Sequence, residues 1–321
     1  MRILLWHVHG SWTTAFVQGG HAYLVPVNPQ RDRYGLGRAR TYPWPEDVIE
    51  VSPSALRDTD VDVVLLQRPE EELLVRRWLG RPLPTVYVEH NTPKGDVPNT
   101  RHPMADRDDL TLVHVSHFNE LFWDNGGTRT VVIEHGIIDP GARYTGELAR
   151  FGVATNEPVR RGRVTGTDLM PRFARVAPLD VFGMGVSGLA RHLDLPKGLI
   201  EAYDDPPQAY LHEQLARRRA YLHLPRWTSL GLSLLEAMFL GMPVIALAVT
   251  EAVRAVPPGA GVLSTRVDEL VDAAQWLLTD ESSARRMGQA ARAAVRDRYG
   301  LPRFLSDWDR LLKEVITCAS P

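Results

Sequence analysis

Residues 220–247, AYLHLPRWTSLGLSLLEAMFLGMPVIAL, decide how the rest of the chain reads. AYLHL (220–224) is a short apolar run with β-formers, and Pro225 breaks it. PRWTSLG ends in Gly231, where backbone can come close to another group. LSLLEAMFL has helix composition, Gly241 stops it, and PVIAL starts a buried strand. The pattern is strand, loop, helix, strand. A strand feeding a helix through a Ser/Gly turn aims backbone N–H groups above the helix N-terminus, which favours anions and above all phosphate. Glu236 lies mid-helix in an apolar stretch. A carboxylate there either faces solvent or accepts hydrogen bonds from a ligand's hydroxyls. The plain alternative is a βαβ unit with no ligand at its turn.

The segment resembles the donor-site signature of the family 4 (group 1) glycosyltransferases of the GT-B fold, E-G-F-G-L-x-x-x-E-A-M-A-x-G-x-P-V-V. Glu236, Ala237, Met238, Gly241, Pro243, Val244 and Ile245 match it. The resemblance implies that Glu236 binds the ribose hydroxyls of a nucleotide sugar. The signature's first glutamate falls on Thr228, a departure that bears on how the donor sugar is held.

A length of 321 residues suits two domains. Hydrophobic content of 44 % and charged content of 24 % are those of an ordinary globular protein, and a net charge of −2 gives no bulk attraction to nucleic acid or membrane. Lys94, Lys197 and Lys313 are the only lysines, so a phosphate clamp here must be built from arginine. Cys318 is the sole cysteine. No internal disulfide can form and a reducing, cytoplasmic location fits. MRILLWHVHG reads as a first strand, not a signal peptide, and no run approaches a membrane span.

In the first half, Arg2–Val8 reads as a central strand followed by the Gly-containing loop HGSW, with a first helix of only a turn or two before Gly19-Gly20. Residues 28–48 read as a surface excursion. VDVVLL (61–66), the helix PEEELLVRRWLG (69–80), PTVYVEH (84–90), TLVHV (111–115), the helix SHFNELFWDN and TVVIEHG (130–136) alternate as β/α. The polar loop 91–109 follows a strand end, where open α/β sheets place ligands. His90 ends a strand, where it can contact substrate and share a proton near neutral pH, or be a hydrogen-bonded loop residue. By resemblance it contacts the donor sugar or the acceptor, and Gly10 and Ser11 face the donor phosphates. His135-Gly136 resembles the turn that closes the first domain, and 139–148 is the linker.

In the second half Arg160, Arg161 and Arg163 form the densest cationic cluster, after a strand and before a helix. It is either a solvated strand end or an anion grip. In the resembled family an arginine and a Lys-Gly pair bind the donor diphosphate there. Arg160 falls on the arginine and Thr165-Gly166 on the Lys-Gly pair, so the lysine is missing, and Arg163 or Arg161 could supply the second charge. Asp168, Leu169 and Met170 continue the pattern. LDVFGMG (179–185) resembles the strand and turn that meet the nucleotide base, with Gly183 and Met184 in it. PQAYLHEQLARRR (207–219) reads as a helix. Trp276, Phe304 and Trp308, at helical spacings, read as packing residues. His7, His9 and His21 lack a carboxylate that would complete a metal site, so no metal and no cofactor are expected.

The expectation is therefore an α/β protein of GT-B architecture, two Rossmann-like domains facing across a cleft. Residues 1–140 form the acceptor side, 141–301 the nucleotide-sugar donor domain, and 302–321 a helix crossing back to the first domain. The expected reaction moves a sugar from a nucleotide diphospho-sugar to an acceptor hydroxyl, with retention as the resemblance implies and with no metal. His90, Arg160 and Arg163 are the catalytic candidates. Gly10, Ser11, Arg161, Gly183, Met184, Thr228, Ser229, Leu230, Gly231, Leu232 and Glu236 are the donor-binding ones. A small-molecule, lipid or glycan acceptor all fit, and peripheral membrane contact stays open; nucleic acid and transmembrane segments do not. An epimerase or hydrolase on the same donor site, or a silent nucleotide-sugar-binding protein, are the alternatives.

Overall fold

The computed structural model describes residues 1–319. The chain divides into two compact units, one of Met1–Ile137 together with the chain from Leu301, the other of Ile138–Gly300.

In the first unit the strands are β1 (Arg2–Leu5), β2 (Ala22–Pro26), β3 (Val48–Val51), β4 (Val63–Leu66), β5 (Thr85–Glu89), β6 (Thr111–His114) and β7 (Thr130–Val132). They make a parallel sheet in the order β3-β2-β1-β4-β5-β6-β7. β1 and β4 are fully buried apart from Arg2, as parallel strands covered on both faces must be. Between strands run α1 (Gly10–Phe16), α2 (Glu70–Leu79) and α3 (His117–Phe122). α2 carries three glutamates in its first turn and ends at Gly80, whose φ of +67° is left-handed. Ser116 caps α3 by accepting from the Asn119 N–H at 3.2 Å. β3 lies at the end of the segment read as an excursion, and the sequence reading missed it: VIEV is only four residues, with its Ile49 side chain exposed.

The second unit holds β8 (Leu148–Ala154), α4 (Pro158–Arg161), α5 (Met170–Ala174), β9 (Leu179–Gly183), α6 (Leu189–His192), β10 (Ile200–Asp204), α7 (Gln208–Ala216), β11 (Arg218–His223), α8 (Leu232–Leu240), β12 (Val244–Leu247), α9 (Ala252–Ala255), β13 (Gly261–Ser264), α10 (Val267–Thr279) and α11 (Glu281–Tyr299). Its sheet is again parallel, in the order β10-β9-β8-β11-β12-β13. Phe151, Phe173, Val181, Leu222, Ile245 and Leu277 belong to its core; burying each such side chain is worth about 1.5–3 kcal/mol.

One boundary differs from the sequence reading. α7 stops at Ala216, and Arg218 and Arg219 start β11 as buried residues. They can be buried because each is fully partnered. Arg218 donates to Asp180 at 2.6 Å, and Arg219 donates to Glu281 at 2.7 Å and to the carbonyls of Gly146 and Leu278.

The last helix, α12 (Leu301–Ala319), packs within the first unit. Trp308 sits edge-on to Trp12 and Phe16, with ring centroids 5.7 and 5.1 Å apart. Arg303 donates to the carbonyls of Glu134 and His135, and Glu314 pairs with Arg129 at 2.7 Å. Phe304 and Trp308 are buried as packing residues, but Trp276 is not: it stands on the solvent face of α10, 44 % exposed. Among the described residues no helix is long and apolar enough to cross a membrane.

Candidate functional site

In each sheet the strand order reverses at one point, between β1 and β4 and between β8 and β11. Open α/β sheets bind ligands just beyond the strand C-termini at such a point. In the second unit the ends of β8, β11 and α8 are tied there. The Tyr221 hydroxyl donates to Ser233 Oγ at 2.9 Å, and Ser233 Oγ donates to the Ala154 carbonyl at 3.3 Å. Above this knot α8 starts at Gly231 with no side-chain cap, which leaves its amide end able to receive an anion. A Cβ on Gly231 would fall 2.6 Å from His223 Cε1, so the turn lies directly on that imidazole. His223 is buried, and burial lowers its pKa to about 4, so it is a neutral floor. Of the residues singled out in this loop, Ser229 and Leu230 are buried, while Thr228, Gly231 and Leu232 are half-buried.

Glu236 lies one turn further along α8, on the face of Ser233. It does not face solvent: it is 6 % exposed. Its Oε1 accepts from Gln208 Nε2 at 3.0 Å, and its Oε2 lies 3.3 Å from His212 Nε2. Both partners stand on α7, at i and i+4. They were not singled out from sequence, although that spacing puts them on one helix face.

The arginine cluster sits on α4 and the turn after it. Arg160 is 72 % exposed and pairs with Glu157 at 3.3 Å. Arg163 is 75 % exposed and pairs with Asp168 at 2.9 Å. Asp168 also takes Arg226, at 2.6 and 2.9 Å. Burial works against the Asp168 charge, but these arginines outweigh it and hold the carboxyl below the usual range. Arg226 further donates its backbone N–H to the Val164 carbonyl at 2.8 Å and its guanidinium to the Arg163 carbonyl at 2.9 Å. The cationic turn and the loop entering α8 are thus stitched together, and Arg226 is a second residue not singled out from sequence. Arg161 differs from its neighbours. It is half-buried, its pKa is lowered by burial and then by Arg160, and it makes no side-chain ion pair or hydrogen bond among the described residues. Thr165, in the place of the resembled lysine, is buried. Its hydroxyl donates to the Gly162 carbonyl at 3.0 Å and lies 3.0 Å from the Thr167 hydroxyl, which donates to the Pro158 carbonyl. No charge stands at that position.

Gly183 ends β9 and Met184 follows it, 46 % exposed. The Met184 N–H donates to Asn156 Oδ1 at 2.9 Å, and its carbonyl accepts from the Glu157 N–H at 2.7 Å. That holds the glycine turn against the start of α4, on the same side of the sheet.

In the first unit His90 follows β5 directly. Its ring lies 4.0 Å from that of His9 and edge-on to Trp12 at 4.9 Å. Burial, then the nearby His9 and His135, push its pKa well below the ordinary value, and its buried Nε2 has no hydrogen-bond partner. Burial thus disfavours the protonated form of His90. His9 and His135 are likewise lowered by burial, to about 4 and about 3. Gly10 and Ser11 open α1, which has no side-chain cap; the Tyr42 ring lies against Gly10, and Ser11 Oγ is 3.5 Å from the Tyr42 hydroxyl. Among the described residues no three His, Cys, Asp or Glu side chains are grouped to hold a metal ion.

Residues 188–294 match the family Glycosyl transferases group 1. They span α6 to most of α11 and include Gln208, His212, the α8 loop and Glu236. No curated protein matches the chain in sequence. Among solved structures, sucrose-phosphate synthase from Thermosynechococcus elongatus is 15 % identical over 99 % of this chain and 100 % of that one, with a TM-score of 0.73. Anabaena HepE in complex with UDP-glucose is 14 % identical over 98 % of this chain and 100 % of that one, with a TM-score of 0.69. TarM from S. aureus, in complex with UDP among other ligands, is 14 % identical over 78 % of this chain, which spans 55 % of TarM, with a TM-score of 0.59. Residues 188–294 thus match the group 1 glycosyl transferases, and the whole chain shares with these solved structures a fold of two Rossmann-like units.

Proposed function

We propose that the enzyme moves a sugar from a nucleoside diphosphate sugar to an acceptor hydroxyl, with retention at the anomeric carbon and without a metal ion. The observation that carries this reading is the second-unit constellation: an uncapped helix entry at Gly231, a buried carboxylate at Glu236 and a half-buried, unpaired Arg161. The HepE and TarM structures, on the same fold, hold UDP or UDP-glucose.

In the reaction the bond from the anomeric carbon to the diphosphate breaks as the bond to the acceptor oxygen forms. The acceptor proton passes to the departing phosphate oxygen. Negative charge grows on the diphosphate, and fixed donors must meet it. The N–H groups from Leu230 to Leu232 lie at the positive end of α8, and Arg161 brings a charge with no carboxylate to satisfy it. Arg160 and Arg163 are exposed pairs of small net worth, so they can exchange their carboxylates for phosphate. Within the first unit, Gly10, Ser11 and His90 stand beyond the C-terminal ends of β1 and β5 and are the residues which that unit offers a ligand. Glu236 accepts from the ribose, and the Gly183–Met184 turn meets the base.

One observation favours a second reading, nucleotide-sugar binding without turnover: Thr165, in place of the lysine, is buried and uses its hydroxyl inside its own turn. A direct test is release of nucleoside diphosphate from UDP-, GDP-, ADP-, CDP- and dTDP-glucose in EDTA, with a panel of glycan, lipid and small-molecule acceptors. Acceptor-dependent release from one donor, with an α-linked product from an α-linked donor, is the expected result. Tight donor binding with no release on any acceptor supports the second reading, and loss of release in EDTA overturns the metal-free mechanism.

A further inference from the structure

His212 is the one partner of Glu236 whose polar atom is left without a hydrogen bond. Its side chain is 9 % exposed. Its Nε2 is buried and has no partner in hydrogen-bonding geometry, though it lies 3.3 Å from Glu236 Oε2. A buried polar atom left so is costly and asks for a partner. The neighbouring carboxylate favours the tautomer with a proton on Nε2. Nε2–H and Oε2 then form a donor and an acceptor side by side. A hydroxyl fits such a pair, because it accepts from one and donates to the other. Gln208 holds the remaining oxygen, Oε1, at 3.0 Å and so fixes the carboxylate plane.

The geometry points to His212 as a further recognition residue of the donor site, which with Glu236 Oε2 clasps one hydroxyl of the ribose diol and so selects ribonucleoside over deoxyribonucleoside diphosphates. This rests on the proposed function, since it needs a nucleotide at Glu236. The imidazole Nε2–H donates to the hydroxyl oxygen, and the hydroxyl donates to the carboxylate. No bond is made or broken.

The test measures dissociation constants by calorimetry for UDP, GDP and ADP and for their 2′-deoxy and 3′-deoxy forms. Wild type is compared with His212→Leu, which removes the donor, and with His212→Gln, which keeps an N–H near the Nε2 position. Wild type should favour the ribonucleotide over one of its deoxy forms by roughly 10- to 100-fold, the weight of a hydrogen bond to a charged group. His212→Leu should weaken the ribonucleotide and leave that deoxy form unchanged, so the ratio collapses; His212→Gln should restore most of it. If His212→Leu weakens ribo and deoxy forms equally, or leaves the ratio intact, His212 serves packing and the inference fails while the donor site stands. If no ribonucleotide binds wild type, the proposed function fails with it.

Discussion

Gly166→Ala should damage the cationic turn in a way that a neighbouring glycine controls for. Gly166 has φ +72°, and a Cβ there would lie 2.1 Å from the Leu224 carbonyl oxygen and 2.7 Å from Leu224 Cβ. An alanine in the left-handed region costs about 1–2 kcal/mol. The collision is with backbone at the end of β11 and cannot be relieved by a rotamer, so about 1–3 kcal/mol of overpacking adds to it. The unfolded chain of the variant is less free, which returns about 0.4–1 kcal/mol. The net is about 3 kcal/mol, and for a domain of this size a fall of roughly 6–12 °C in Tm. Gly162 is the control: it also has positive φ, +50°, but nothing lies within 4 Å of its Cβ position. Gly162→Ala meets no such collision, and its cost of about 1–3 kcal/mol is that of the backbone conformation alone (φ +50°, ψ −117°). The assay is thermal and urea unfolding of both variants, with UDP, GDP and ADP titrated into each. Because the Arg163 and Val164 carbonyls bond to Arg226, pushing the turn off β11 should also weaken nucleotide binding in Gly166→Ala alone. A Gly166→Ala protein that melts with the wild type would refute the packing of this turn on β11.

Acidification should destabilise the first unit. His9 and His135 have folded pKa values lowered to about 4 and about 3, against about 6.5 when unfolded, so their stabilisation is complete above pH 6.5 and is lost as pH falls toward those values. Each accounts for about 1.4 kcal/mol per pH unit in that window; melting curves at pH 5 and 7.5 that coincide would contradict it. Thr165→Lys, which restores the resembled lysine, should cost about 2 kcal/mol or more, since it breaks the Gly162 and Thr167 hydroxyl contacts and places a charge at a 2 % exposed position. It should not tighten nucleotide binding, and calorimetry showing tighter UDP binding would count against the role given to Arg161. Trp308→Ala should cost about 3–5 kcal/mol, because the ring is 2 % exposed against Trp12 and Phe16; a change below about 1 kcal/mol by urea unfolding would deny that α12 anchors there.

Much of the second unit could be read in advance because its signals are local. LSLLEAMFL became α8, closed by Gly241 at φ +86°, and PVIAL supplied β12. LDVFG became β9. The errors have physical causes. RRR at 217–219 looks like a helix end, yet two of the three arginines are strand residues kept buried by Asp180, Glu281 and backbone carbonyls far away in sequence. The edge strands β3 and β10 are short and partly exposed, so neither shows a clear apolar run. The partners of the site were the least legible part. Nothing near Glu236 in sequence says that α7 will bring Gln208 and His212 to it, and Arg226 reaches Asp168 across 58 residues. His90 was placed correctly at its strand end, but the burial beside His9 and His135 that lowers its pKa is something only the fold brings about.

The central claim is that α8 and Glu236 hold a nucleoside diphosphate. Calorimetric titration of UDP, GDP, ADP, CDP and dTDP in EDTA into wild type and into Glu236→Ala tests it most directly. The account predicts that one of the five binds the wild type and binds the variant at least ~10-fold more weakly, the loss of a charged hydrogen-bond acceptor. Binding of none of them, or equal binding to both proteins, would contradict it.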